Sequence, residues 1–94
     1  MRKPIVDGDV CDFLKNITVE KVFMQIWNKM RDLVKMPNLS DSRKIGEYNG
    51  LSVFRSSVGE YRIVYQYDNN YVYFMLVGKR NDDDIYKRYD RKMK

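Results

Sequence analysis

Residues 59–80, GEYRIVYQYDNNYVYFMLVGKR, constrain this chain more than any other stretch. From Glu60 to Tyr67 the residues alternate. Tyr61, Ile63, Tyr65 and Tyr67 fall on one side, and Glu60, Arg62, Val64 and Gln66 fall on the other. A period of two belongs to an extended strand with unlike faces and not to a helix. Asp68-Asn69-Asn70 supplies a turn. Tyr71 to Gly78 then returns as a nearly all-apolar strand, expected at the centre of a sheet with both faces covered. Such a hairpin cannot bury its own apolar face, so the rest of the chain must cover it.

Two helical stripes supply that cover. After a start at Asp7-Gly8-Asp9, Val10, Phe13, Leu14 and Ile17 recur at i, i+3, i+4 and i+7. Val22, Phe23, Ile26, Met30, Leu33 and Val34 repeat the period until Pro37 stops it. Thr18 is the expected N-cap of the second helix, with Glu20 in its first turn. Joined through Asn16-Ile17-Thr18, the helices are expected to pair as an antiparallel hairpin. Trp27 and Met24 fall beside the stripe, as core edge or as a groove for a partner helix.

Met1 to Val6 reads as a short strand, and Pro4 places it at an edge. Pro37 to Gly50 reads as a polar connector, Leu51 to Arg55 as a strand, and Ser56 to Gly59 as a turn. The pattern predicts an α+β fold: two N-terminal helices packed on one face of a small twisted antiparallel β-sheet, in a single domain over residues 1–94. The other face is expected to be free, with Arg62 on it.

Composition narrows the chemistry. The 94 residues include no histidine, which removes a Ser-His-Asp triad, a histidine metal site and imidazole acid–base catalysis. A single cysteine, Cys11, allows no internal disulfide and suits a reducing cytosol, so a cytoplasmic location is expected. The N-terminal residues turn acidic at Asp7, before any signal-like apolar core, and no run approaches the ~20 residues of a membrane helix. Eighteen Lys and Arg against thirteen Asp and Glu give a net charge of +5, which favours polyanionic partners. Asp82-Asp83-Asp84 reads as a solvated turn and not as a metal cluster.

At Arg55-Ser56-Ser57, EYRIVYQY and VGKRNDDDIY, the sequence resembles the RelE branch of the RelE/ParE toxin superfamily. The resemblance runs from Arg55 to Tyr86, with looser agreement in the helix hairpin and in RKIG at 43–46. It implies the toxin of a bacterial toxin–antitoxin pair that cleaves messenger RNA at the ribosome, needs neither metal nor cofactor, and is neutralised by a protein antitoxin. By resemblance, Arg62 and Arg80 are the arginines at the scissile phosphate. Tyr86 is the C-terminal tyrosine that stacks on a base and orients or activates the attacking group. Arg55, Lys79, Lys44, Lys87 and Arg88 are candidate RNA contacts, with Arg43 beside them. Each could equally be a solvated surface charge.

One departure bears on catalysis. The best-known RelE pattern places two lysines on the strand before RSS, as acid and base; here those positions hold Leu51 and Val53. A carboxylate base is the alternative, with Glu60 the first candidate and Glu47 and Asp41 behind it. The competing readings are a ParE-like toxin that binds DNA gyrase without cleaving RNA, a decayed toxin that only pairs with its antitoxin, and a general basic RNA-binding domain.

Overall fold

A computed structural model of the chain describes residues 2–39, 41–79 and 84–92. In chain order it gives β1 (Lys3–Val6), α1 (Gly8–Lys15), α2 (Glu20–Lys35), β2 (Arg43–Tyr48), β3 (Leu51–Val58), β4 (Tyr61–Tyr67), β5 (Tyr71–Lys79) and α3 (Asp84–Lys92). The strands form one sheet in the order β1-β5-β4-β3-β2. All neighbours are antiparallel except β1, which lies parallel to β5. The α+β class agrees with the sequence pattern, and Pro4 sits in an edge strand. The sheet is mixed, however, and it holds a strand where the sequence suggests a connector.

That strand, β2, exists because Asn49-Gly50 forms a hairpin turn. Both residues take positive φ, 53° and 79°, the conformation whose twist matches two antiparallel strands. Gln66 on β4 closes the turn: its Nε2 donates to the carbonyls of Tyr48 at 2.7 Å and Leu51 at 3.1 Å. β3 also continues through Ser56-Ser57-Val58 instead of turning there. Ser56 is fully buried, yet its hydroxyl donates to both carboxylate oxygens of Asp41 at 3.1 Å, so its own polar group is satisfied there. The turn falls at Gly59 and Glu60, with Gly59 at φ +56°.

The helix-covered face is the alternating one. Ile63, Tyr65, Val72, Phe74 and Val77 meet Val10, Ile26, Met30, Leu33 and Val34 in one buried cluster. Each such side chain contributes roughly 1.5–3 kcal/mol by leaving water. Tyr65 is fully buried, and its hydroxyl donates to the carbonyl of Pro37 at 2.5 Å and meets Ser42 Oγ at 2.6 Å. These bonds fasten the segment that leads into β2. Asp7 caps α1 by accepting the amide of Asp9. The cap of α2 is Val19 and not Thr18, with no side-chain bond, so packing holds that helix start. Met36 leaves the helix because the following proline disfavours helical geometry.

The opposite face is not free. α3 covers part of it, where Val53, Val64, Met75 and Leu76 form a second buried cluster against Ile45 and Tyr89. Gly46 makes room for this helix, since a β-carbon there would collide with the Tyr89 hydroxyl. Arg88 donates to the Val77 carbonyl at 3.2 Å. Lys92 bridges Asp7 and Asp9, each at 2.9 Å, and clasps the end of α3 to the start of α1.

Candidate nucleic-acid interface

Residues paired across neighbouring strands project from the same face of a sheet. Arg62 pairs with Ser57 on one side and Gly78 on the other. The next row holds Leu76, Val64, Arg55 and Arg43. Arg62, Arg55 and Arg43 therefore share the α3-bearing face. Arg55 and Arg62 are diagonal neighbours, roughly 7–8 Å apart, and Arg43 lies directly opposite Arg55. Two like charges in direct register repel, and neither Arg43 nor Arg55 has a carboxylate partner among the described residues. An anion laid across this row relieves the repulsion, and planar guanidinium groups each hold two phosphate oxygens. Arg62 is half-buried and is itself engaged by a neighbouring group.

The other candidates divide. Lys87 is exposed on α3, and Arg88 on the same helix bonds the β5 backbone through one nitrogen. Lys79 pairs with Tyr61 and so stands on the helix-covered side, beside Phe13 and Val22, away from Arg62. Lys44 pairs with Phe54, also on that side, and bonds Glu47 at 2.8 Å. Arg80 lies outside the described residues, as do Asp82 and Asp83. Tyr86 falls on α3, and its side chain lies outside the described residues.

The carboxylates are equally informative. Glu60 is an exposed turn residue and not part of the β4 face that carries Arg62, because the strand starts one residue later. Glu47 is exposed and ion-paired with Lys44. Asp41 is structural: burial pushes its pKa up, but bonds from Lys29 at 2.9 Å and from Ser56 outweigh this and hold it below the ordinary value. Val53 is fully buried beneath α3 and Leu51 is half-buried, and neither side chain can carry a proton. Among the described residues no cluster of metal-ligating side chains occurs, and no helix is long and apolar enough to cross a membrane.

The sequence reading treats Arg43 as a loop residue and does not foresee the Gly46 notch. The missed signal is the Asn-Gly pair between two half-alternating runs, which marks a hairpin; a bulge between Lys44 and Gly46 then shifts the register so that Arg43 and not Lys44 falls opposite Arg55.

A mixed sheet with α1 and α2 on one face, and α3 beside a cluster of arginines on the other, defines an α+β domain. Solved structures make the likeness particular. The archaeal RelE of a RelE–RelB complex from Pyrococcus horikoshii is similar over 85% of this chain and 96% of its own, with a TM-score of 0.74 at 15% identity. A free Escherichia coli RelE toxin carrying two arginine-to-alanine substitutions matches over 99% and 98%, at 0.71 and 17%. A toxin–antitoxin RelBE complex from Mycobacterium tuberculosis matches over 84% and 98%, at 0.67 and 17%. No protein-family model matches the sequence, and no curated protein is similar to it in sequence. The chain has the fold of the RelE toxins.

Proposed function

We propose that this protein is the toxin of a toxin–antitoxin pair, an endoribonuclease that cleaves messenger RNA on the ribosome, restrained by a cognate antitoxin and acting in the cytoplasm. The observation that carries the reading is the cluster of Arg43 and Arg55 in one cross-strand row with Arg62 diagonal to it, on one sheet face of a RelE fold. RNA cleavage through its own 2′-hydroxyl needs that hydroxyl activated, the crowded anionic phosphorane stabilised and the 5′-oxygen protonated. Fixed guanidinium groups serve the second task, since they hold positive charge where negative charge develops. Arg62, with Arg80, is assigned to the phosphate, Tyr86 to the attacking nucleotide, and Arg55, Lys87 and Arg88 to the RNA backbone. This chemistry calls on no metal or cofactor. The antitoxin partner follows from the likeness to toxins solved in complex with RelB-type proteins.

Purified protein added to translating ribosomes should cut the displayed message, and Arg62→Ala or Arg80→Ala should lower the rate at least a hundredfold. Intact message with the unaltered protein would refute the enzymatic reading.

A second reading is favoured by Val53. With an apolar side chain buried where the family pattern puts a proton carrier, and with no candidate carboxylate in the arginine row, the protein would act by binding alone, on DNA gyrase or only on its antitoxin. Whether translation or DNA replication halts first after induction separates the two.

A further inference from the structure

On the α3-bearing face, at the end of the sheet away from Arg62, an open groove of about 490 Å³ lies between β1, the β2–β3 turn and the end of α3. We infer that this groove is a nucleobase-binding site, taking one unstacked base with an exocyclic amino group. The inference rests on the reading that single-stranded RNA follows the arginine row.

The walls are apolar and aromatic. Ile5 and Tyr48 are large side chains exposed there, 43% and 37%, with Tyr73 and Leu51 between them. Tyr73 is fixed in place, its hydroxyl donating to Asp68 at 2.7 Å. The polar groups are few, chiefly Asp7, Asn49, Gln66 and Lys92, the usual make-up of a site that orients a flat ligand. Gln66 spends its amide nitrogen on the carbonyls of Tyr48 and Leu51, which leaves its side-chain oxygen without a donor among the described residues. Asp7 adds carboxylate oxygens, and the cation at the wall, Lys92, is already neutralised by Asp7 and Asp9. Such a groove repels a phosphate and accepts an uncharged ring that brings N–H donors. Adenine and cytosine offer an amino group to Gln66 Oε1, whereas uracil offers a carbonyl in the same position. Leu51 and Arg55 are four residues apart on β3, about 13 Å at strand spacing, so one short strand can place its backbone on the arginines and a base in the groove.

Titration of the isotope-labelled protein with adenosine, cytidine and uridine, followed by amide resonances, tests the site apart from any phosphate contact. Tyr48→Ala then reports on a short adenine-containing oligoribonucleotide by fluorescence anisotropy. The expected result is that adenosine and cytidine shift Tyr48, Asn49, Gln66 and Tyr73, and uridine does so less. Tyr48→Ala should weaken the oligonucleotide roughly 5- to 150-fold, the range of ~1–3 kcal/mol per stacked base, with no change in salt dependence. If the oligonucleotide binds with steep salt dependence but nucleosides leave these amides unmoved and Tyr48→Ala binds as tightly, the groove assignment fails while the arginine reading survives. If neither nucleosides nor oligonucleotide bind, both fail.

Discussion

The alkaline limit of this fold should be set by Tyr65. Burial pushes its hydroxyl from the ordinary 10 up to about 12, although the bond from Ser42 pulls the other way. The folded state therefore holds a proton that the unfolded chain releases near pH 10. The stabilisation is complete below pH 10 and is lost as pH rises towards 12. At 1.36 kcal/mol per unit, the two-unit displacement amounts to roughly 2.7 kcal/mol, a large share of a small domain's stability. Tyr65→Phe removes the titration but also the donor to the buried Pro37 carbonyl, at a cost of about 1–3 kcal/mol. Urea melts of both proteins at stepped pH should show the variant weaker at pH 8. The gap should then close by about 1.4 kcal/mol per pH unit above pH 10. A gap that stays constant to pH 12, or tyrosinate absorbance showing Tyr65 ionising with the exposed tyrosines, would refute the reasoning. Because these bonds hold the segment entering β2, the same pH range should release Arg43 from its place opposite Arg55.

Four further outcomes are expected. Gly46→Val drives a side chain into the Tyr89 hydroxyl, so α3 should loosen at a cost of about 1–3 kcal/mol, seen as earlier proteolysis within α3 and binding of a hydrophobic dye to the uncovered Val53 and Leu76. Lys92→Met should cost no more than about 1 kcal/mol, since its carboxylate partners are well exposed. Asp7 is held below its ordinary pKa, because the Asp9 amide and Lys92 together outweigh its burial. The clasp should therefore persist above the carboxylate range and fail as pH falls through it, so Lys92→Met and the unaltered protein should show equal hydrogen exchange in α3 at low pH. Arg55→Gln should weaken RNA binding and lower the slope of log affinity against log salt by about 0.7 to 1, where a purely structural role would leave the slope unchanged.

What the sequence made legible follows from where its signals are local. The alternation of Tyr61, Ile63, Tyr65 and Tyr67 fixes β4 and its buried face, and the stripes through Val10 and Ile26 fix the helices that cover it. The end of β3 was not legible, because Ser56 is tolerable in a buried strand only through Asp41, a partner fifteen residues away. Nor was the site of α3: its covering of the sheet depends on Tyr89 meeting the notch at Gly46, a contact between distant segments, while the helix itself is mostly charged. Of the candidate site, the register places Arg62 and Arg55 on a common face. Lys79 and Lys44 fall on the helix side because each pairs one position out of phase with that row.

The parallel pairing of β1 with β5 has a consequence for how the molecule comes into being. Lys3 finds its partner in Tyr71 and Val6 in Phe74, so the earliest strand made is the one that waits for the last. While such a chain emerges from a ribosome, α1 and α2 keep their oily side uncovered, and no truncated product ending before β5 can complete the sheet. Arg62 is translated before the β5 segment that flanks it, so the arginine-bearing face should assemble late and all at once.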